Sequence, residues 1–341
     1  MSQTDTPSAH PTKRKRVNEE TDSIANGVPS IERSSQFWFK DGSIVIQAES
    51  TQFRVHHSVL SLHSTVLKDC FQLPQPDGEP TVEGCPVLHL SDSPKDIEHL
   101  LSLFYALYDT ADFRKPIPFA ITSVTIRLGR KYDLVRFVED AIGRLNHGFP
   151  KTLQNWDEVD HTQVFTDAKG LLFDIINFAY EFSLNSVLPC AFLRLCEKYS
   201  LREILLGEER DDQTTASLSH EALQTCLIGR DRIARVVPHQ MVDSLARDYP
   251  HIGFGHCASP KRCVEIHAFV ILPSFFEPIT GESDLKIRFP ARQCPRPGPD
   301  VLFAANDCAK CEQNVSDLYG VIRATLWNKL PKYFGWENWS L

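Results

Sequence analysis

Cysteine is the residue type in this chain whose spacing most directly suggests chemistry. Cys308 and Cys311 form a Cys-x-x-Cys pair, and Cys257 and Cys263 lie upstream of it. Four thiolates can hold one Zn²⁺ ion tetrahedrally, and a segment with little regular structure gains most from such a staple. Against zinc, five residues separate the first two cysteines and 44 separate the pairs, which is longer than in common zinc ribbons.

Other uses of these cysteines can be compared with a structural zinc site. His256 and His267 are substitute ligands, whereas the competing interpretation is free thiols on a loop and a helix start. A redox Cys-x-x-Cys would need a surrounding βαβ unit, which the pattern does not show. A zinc deaminase needs a Pro before the Cys-x-x-Cys and an upstream His-x-Glu. Asp307 precedes Cys308 instead, and residues 267–269 lack the glutamate, so one structural zinc and free thiols stay open.

Other catalytic patterns are missing from the sequence. It contains no Gly-x-Ser-x-Gly, no phosphate-binding P-loop, no His-Glu-x-x-His and no Gly-x-Gly-x-x-Gly after a strand. His56 and His57 follow a predicted strand, where a hydrogen-bonded structural imidazole is the expected role. Asp41 precedes a strand and is expected to accept from backbone donors or to pair with a cation. We therefore expect no enzyme; a cleft that gathers groups with perturbed pKa values would support that remote alternative.

Two groups of basic residues stand out from the acidic average. Residues 1–34 are too polar to form a core and are predicted to be a disordered tail. It carries a basic run of four residues, Lys13, Arg14, Lys15 and Arg16, which is either a nuclear-import signal or a solvated charge cluster. A second set, Arg230, Arg232, Arg235, Lys261 and Arg262, is predicted to be a solvated face, because no aromatic interleaving or DNA-reading motif accompanies it.

Length and composition place the chain among globular proteins. Its 341 residues suffice for about two domains, and its net charge is −8, so direct nucleic-acid binding is not expected. No apolar run is long enough to cross a membrane, and the polar N-terminus suggests no secretion signal. An intracellular chain, nuclear or cytoplasmic, keeps its ten cysteines reduced. The six that lie outside the zinc hypothesis are most simply small core residues where they fall on helical faces.

The elements that must position these residues begin at Phe37. Alternation over Ile44, Ile46 and Ala48, and again over Phe53 and Val55, predicts a β-hairpin. A helix should follow with Val59, Leu62 and Val66 on its apolar face, then a short strand at 87–90. Three amphipathic helices come next, the first capped by Ser93 with Pro94 in its first turn. Residues 171–182, 191–196 and 219–227 and the segment 309–327 predict further helices, so the order of strands and then helices argues for an α+β fold.

Several of these segments together resemble the BTB/POZ domain. The resemblance rests on DGSIVI at 41–46, FRVHHSVL at 53–60, STVL at 64–67, LSDSP at 90–94 and LGRKY at 128–132. It is closest to the large family of BTB proteins of mushroom-forming fungi and continues through residues 188–192, 218–219, 226–230 and 327–335. The resemblance implies a BTB/POZ fold, a small β-sheet with a helical cluster, at 35–150. A mainly α-helical C-terminal domain at 151–341 with an irregular Cys-containing segment would follow.

The resemblance also implies a function. BTB domains recruit other proteins and are often homodimeric, so the chain is expected to be a non-enzymatic scaffold or adaptor, with nuclear regulation as one context. The alternative context is a substrate adaptor of a cullin-based ubiquitin ligase. Three adjacent aromatic residues, Phe37, Trp38 and Phe39, cannot all enter one core from a strand, so they are candidates for a dimer interface, with packing at a domain edge as the alternative.

Overall fold

The computed structural model describes residues 31–73, 81–107, 112, 115–158, 164–248, 290 and 309–339. For residues 241–242, 244–248, 309–312 and 315 it describes the backbone only. Residues 1–30 of the predicted disordered tail (1–34) and the predicted irregular Cys-containing segment therefore lie outside the described residues. Glu32 to Ser34 of that tail lie in a β-strand instead, so the predicted boundary at 34 was wrong.

A mixed five-stranded sheet forms the first part of the fold. Its strands are β1 (Glu32–Trp38), β2 (Ile44–Ala48), β3 (Thr51–Val55), β4 (Thr81–Val82) and β5 (Cys85–Leu90), in the spatial order β1-β3-β2-β5-β4. The hairpin of β2 and β3 is antiparallel, with Ile44 opposite Val55 and Ala48 opposite Thr51. Strand β1 runs parallel to β3, and β5 runs parallel to β2. The predicted hairpin is confirmed, and its alternating apolar residues are buried, because one face of the sheet carries the helices.

Two short helices, α1 (His57–His63) and α2 (Thr65–Gln72), replace the single predicted helix. The break falls at Ser64, whose extended backbone ends α1 and whose side chain caps α2 by accepting from the N–H of Leu67. Because the break rotates the face presented to the sheet, Leu60 and Leu67 are buried, and of the predicted residues only Val59 packs, half-buried, against that core. Leu62 is 79% exposed and Val66 is 36% exposed, so the predicted apolar face was wrong at these two residues.

Three longer helices complete the first part: α3 (Pro94–Phe104), α4 (Phe119–Lys131) and α5 (Val135–Gly148). The capping predicted for α3 is confirmed, because the Ser93 side chain accepts from the N–H of Asp96 and Pro94 lies in the first turn. Apolar residues of α3 and α4 close one core over the sheet: Ile97, Leu100, Leu101, Phe104, Val124 and Leu128.

The rest of the described chain is mainly helical. It comprises α6 (Leu153–Glu158), α7 (Leu171–Glu181), α8 (Leu188–Lys198), α9 (Leu201–Leu206), α10 (His220–Asp248), α11 (Ala309–Asn328) and α12 (Leu330–Tyr333), with a two-stranded ladder of β6 (Glu208–Glu209) and β7 (Thr215–Ala216). The helices predicted around 171–182, 191–196, 219–227 and 309–327 are all present. Ser219 accepts from the N–H of Ala222 and so caps α10 as predicted.

A second apolar core holds the later helices together, and the first part contributes to it. Helix α8 lies at its centre, where Ala191, Phe192, Leu195 and Cys196 are fully buried. Ile126 of α4 belongs to the same core, although Val124 and Leu128 of that helix face the first one. Helix α4 is thus buried on two sides and joins both cores, within an α+β fold as predicted.

Phe334, which follows α12, packs closely against α10 at Gly229. A Cβ atom on Gly229 would lie 2.0 Å from Cδ1 of Phe334, so the bare backbone makes room for that ring. The Phe334 ring then stacks on Phe192 of α8 with 5.1 Å between ring centroids. The Arg232 guanidinium donates to the carbonyl oxygens of Lys332 and Tyr333, which fixes the turn that carries the ring.

Candidate protein-interaction surface

The three adjacent aromatic residues do not share one environment. Phe37 is 1% exposed and packs against Tyr105 in the first core. Phe39 is half-buried, and its ring lies 4.9 Å from that of Tyr105 and 5.2 Å from the imidazole of His56. Phe37 and Phe39 therefore pack against other rings of their own chain. Trp38 is half-buried and does not join that ring cluster, so it is the ring left for the predicted interface, which stays a prediction.

Trp38 lies at the end of strand β1 on the edge of the sheet. Alternation turns its side chain away from that of Phe37, and the Arg33 guanidinium lies over the ring at 4.4 Å. Among the described strands, β1 pairs with β3 alone, so its other edge presents backbone N–H and C=O groups without a strand partner. An edge of this kind can accept a further strand, and natural sheets cover or protect it.

A second candidate surface lies on the first two helices and consists of Leu62 and Val66. We name it the α1–α2 face. These side chains are four residues apart on either side of the Ser64 break, and both are exposed. Contiguous exposed apolar side chains are a recurrent feature of protein-binding surfaces, so these two residues are candidates for one. The sequence pattern identified these residues as part of an apolar face, and the structure leaves that face exposed at Leu62 and Val66.

His56 lies where β3 meets α1 and takes part in a network with Tyr105 and Asp41. The Tyr105 hydroxyl accepts from the backbone N–H of His56 at 3.0 Å and lies 2.8 Å from the imidazole Nδ1. The imidazole Nε2 lies 3.3 Å from a carboxylate oxygen of Asp41. Hydrogen bonds from its own backbone N–H and from His56 lower the pKa of Asp41, and burial raises the pKa of Tyr105. The network joins the first sheet to α3, as expected for a structural imidazole.

The matched segment LGRKY, residues 128–132 at the end of α4, binds the loop before α3. The ammonium of Lys131 donates to both carboxylate oxygens of Asp92 at 2.7 and 2.8 Å, and the Tyr132 hydroxyl donates to the same carboxylate. Burial and this carboxylate raise the pKa of Tyr132. The carbonyl of Tyr132 in turn accepts from the Ser64 hydroxyl at 2.7 Å. Three of the matched segments therefore meet at one structural junction.

The candidate zinc ligands cannot be placed. Cys257, Cys263 and Cys308 lie outside the described residues, and Cys311 is described only as a backbone position on α11. Within the part of the chain that the structure describes, no group of three or more His, Cys, Asp or Glu residues is positioned to hold a metal ion. The zinc site stays a prediction.

Three of the other cysteines are core residues, as predicted. Cys190, Cys196 and Cys226 are fully buried on α8 and α10. Burial raises the pKa of Cys190, and the contact with Cys226, 3.9 Å between sulfur atoms, raises that of Cys196. Both thiols are therefore poor nucleophiles.

The basic residues fall into two groups. Lys13, Arg14, Lys15 and Arg16, like Lys261 and Arg262, lie outside the described residues. Of the described ones, Arg235 pairs with Asp231 one turn away, and Arg232 binds the backbone of residues 332–333. A guanidinium held on protein carbonyls is less available to a nucleic-acid phosphate, and the solvated face stays a prediction.

A groove lies between the start of α4 and one face of α7. Its volume is about 510 Å³. Its apolar lining consists of Pro118, Phe119, Ala120, Ala168, Leu171 and Phe178, and its acidic lining of Asp167, Asp174 and Glu181. Among the described residues that line it, none is Lys or Arg. We name it the acidic groove.

Two buried arginines were not identified from the sequence. Arg144 is 1% exposed on α5 and donates to the carbonyl oxygens of Asp112, Lys115 and Val164. Arg323 on α11 makes a bidentate ion pair with Asp157 and donates to the carbonyl of Pro290. An arginine within an apolar helical face is the signal that could have indicated such a role.

Comparison with known families identifies the first part of the chain. Residues 36–112 match the family model of the BTB/POZ domain, so the chain contains a BTB/POZ domain. This domain supports a general role in protein interaction, since domains of the family are typically interaction modules rather than enzymes. No curated protein matches the chain. No helix in the described ranges is long and apolar enough to cross a membrane.

Proposed function

We propose that this protein is a non-enzymatic scaffold that self-associates through its BTB/POZ domain and recruits a further protein through its helical second half. The observation that carries the proposal is the α1–α2 face. Leu62 is 79% exposed there, and it lies within residues 36–112, which match an interaction domain. The edge of β1 with Trp38 gives the same domain a second surface for contact.

The contact is proposed to be a symmetric dimer. In a two-fold interface the same face of both chains is buried, so each exposed leucine is counted twice. Burial of a leucine side chain contributes about 2 kcal/mol. Removal of Leu62 from both chains should therefore weaken the dimer by about 4 kcal/mol, or roughly a thousandfold.

A substitution pair tests this proposal. Leu62→Ser should raise the dimer dissociation constant strongly in light scattering over a dilution series. Val321→Ser is the matched control, because Val321 is 64% exposed on α11, far along the chain from the domain. Equal dissociation constants for the two variants would exclude the α1–α2 face as the interface.

The cellular context is proposed from sequence features. The basic run at residues 13–16 favours a nuclear regulator, and fusion of residues 1–34 to a fluorescent protein should then give nuclear accumulation. The alternative, a substrate adaptor for a cullin-based ubiquitin ligase, predicts that a cullin co-purifies with the full chain. Membership of the mushroom-type BTB family is proposed from the segments after residue 150 that resemble it.

Zinc belongs to the proposal as a structural group in the second half. Cys257, Cys263, Cys308 and Cys311 would hold it. Metal analysis of the purified chain should find one zinc per chain, and Cys308→Ser with Cys311→Ser should remove it and lower stability. No zinc in the wild type, with unchanged stability of the double variant, would contradict this part.

A further inference from the structure

We propose that the acidic groove binds the basic run of the chain's own N-terminal tail, Lys13 to Arg16, with the following Val17 in its apolar part. The occupant is thus a segment of the same molecule. The argument uses the charge of the groove, its apolar floor and the distance that the connecting residues can span.

The charge of the groove favours a cationic occupant. Asp167 and Glu181 line it as exposed carboxylates, whereas Asp174 is paired with Arg210 at 2.6 Å. Lys169, which is close in sequence, is held by Asp211 at 2.7 Å.

More acidic groups surround these two cations than they neutralise. Asp212 and Glu208 act on Arg210, and Glu208 and Glu209 act on Lys169. Arg130 is a third nearby cation, with its guanidinium over the ring of Phe182 next to Glu181. The carboxylates still outnumber the cations, so the run of four basic residues is the electrostatic complement of the groove.

The floor of the groove favours an apolar side chain beside the charges. Phe119 packs edge-on against Phe178 with 5.7 Å between ring centroids, and both line the groove with Leu171. Phe119 and Leu171 are half-buried, so part of each apolar side chain faces the groove. Val17 directly follows the basic run, so one short segment presents an aliphatic side chain and positive charge together.

The connecting chain is long enough. Val17 and Ile31 are 14 residues apart in sequence, which can span about 46 to 50 Å. Ile31 precedes Phe37 by about 20 Å along the strand. Phe37 shares a core with Val124 of α4, about 10 to 15 Å away, and the groove begins about 9 Å further along that helix. The whole path, laid end to end, is about 45 Å, so the 14 residues reach the groove when they are almost fully extended.

The test uses the full chain and a peptide. The receptor is the variant K13A/R14A/K15A/R16A, whose own run carries no charge. The probe is a fluorescein-labelled peptide of residues 9–18, followed by anisotropy at low salt. The peptide should bind this variant, and the wild-type chain should bind it at least fivefold more weakly because its own run occupies the groove. Peptide with Val17→Ser should bind more weakly at unchanged charge.

Charge substitutions locate the contact. D167N/E181Q, introduced into the receptor variant, should weaken peptide binding about three- to tenfold, as expected for two exposed ion pairs. D69N/E139Q removes the same charge at exposed positions on α2 and α5 and should leave binding within twofold. All four are isosteric exposed changes, so circular dichroism should show the same fold.

Three results would overturn the proposal. The first is a peptide that does not bind the receptor variant. The second is binding that D167N/E181Q weakens no more than D69N/E139Q. The third is a wild-type chain that binds the peptide as tightly as the receptor variant, because the groove would then be open to a basic segment of another molecule and not occupied by its own.

Discussion

Replacement of Ser64 by alanine should lower the free energy of local opening of helix α2 by about 2 to 3 kcal/mol. Its buried hydroxyl accepts from the N–H of Leu67 at 3.0 Å and donates to the carbonyl of Tyr132 at 2.7 Å. Loss of the N-cap costs about 1 kcal/mol, and loss of the second hydrogen bond leaves a buried carbonyl without that donor for another 1 to 2 kcal/mol. The substitution tests whether this matched segment is a structural junction.

Hydrogen exchange measures that local opening. With about 1.4 kcal/mol per factor of ten, amides of residues 65–72 should exchange roughly 30- to 150-fold faster in Ser64→Ala. Ser58→Ala is the control, because Ser58 is exposed on α1 and should change exchange by less than about twofold. If the two variants exchanged alike over α2, the junction would not hold the helix and the reasoning would be refuted.

Three further predictions concern packing, ion pairing and pH. Gly229→Ala should displace the Phe334 ring, since its Cβ would lie 2.0 Å from that ring, and should lower stability in thermal melts by about 1 to 3 kcal/mol. Arg323→Met should cost about 3 to 5 kcal/mol in urea unfolding, because it leaves the largely buried carboxylate of Asp157 without its cation. Because folding lowers the pKa of Asp41, the carboxylate contributes to folding stability above its ordinary pKa of 3.8. That contribution is lost as pH falls through the lower pKa of the folded state. Asp41→Asn should therefore destabilise at pH 6 and have little effect at the lowest pH at which the chain stays folded.

Each of these has a result that would contradict it. Gly320→Ala is the control for the first, because nothing lies within 4 Å of the added Cβ and alanine favours a helix, so that variant should melt no lower than wild type. A Gly229→Ala melt equal to it would show that the ring is not confined. For Arg323→Met, a decrease in the free energy of unfolding of less than about 1 kcal/mol would mean that the ion pair is not structurally important. For Asp41→Asn, an equal decrease in stability at both pH values would show that the effect does not come from titration of the Asp41 carboxyl.

Local patterns made much of the fold predictable. Alternation identified the hairpin, and Ser93 with Pro94 identified the start of α3, because strand periodicity and helix caps are set by neighbours in sequence. Which face of α1 is buried was not predictable. The helix break at Ser64 depends on the hydrogen bond from the Ser64 hydroxyl to the carbonyl of Tyr132, 68 residues away. Helical spacing continued across the break and so placed Leu62 on one face with Val59 and Val66.

The sites were less predictable than the elements, for a related reason. Asp167 and Glu181 carry no motif, and only the packing of α7 on α4 brings them to one groove with Phe119. The role of Arg144 likewise depends on carbonyl groups between 20 and 32 residues away. Partners separated so far in sequence leave no periodic signal.

The mass of the full chain in solution tests the central proposal most directly. Sedimentation equilibrium of the wild type at tens of micromolar should give about 77 kDa, twice the 38.7 kDa of one chain. The mass should fall toward that of one chain on dilution. A mass of 38.7 kDa throughout that range would contradict self-association through the BTB/POZ domain.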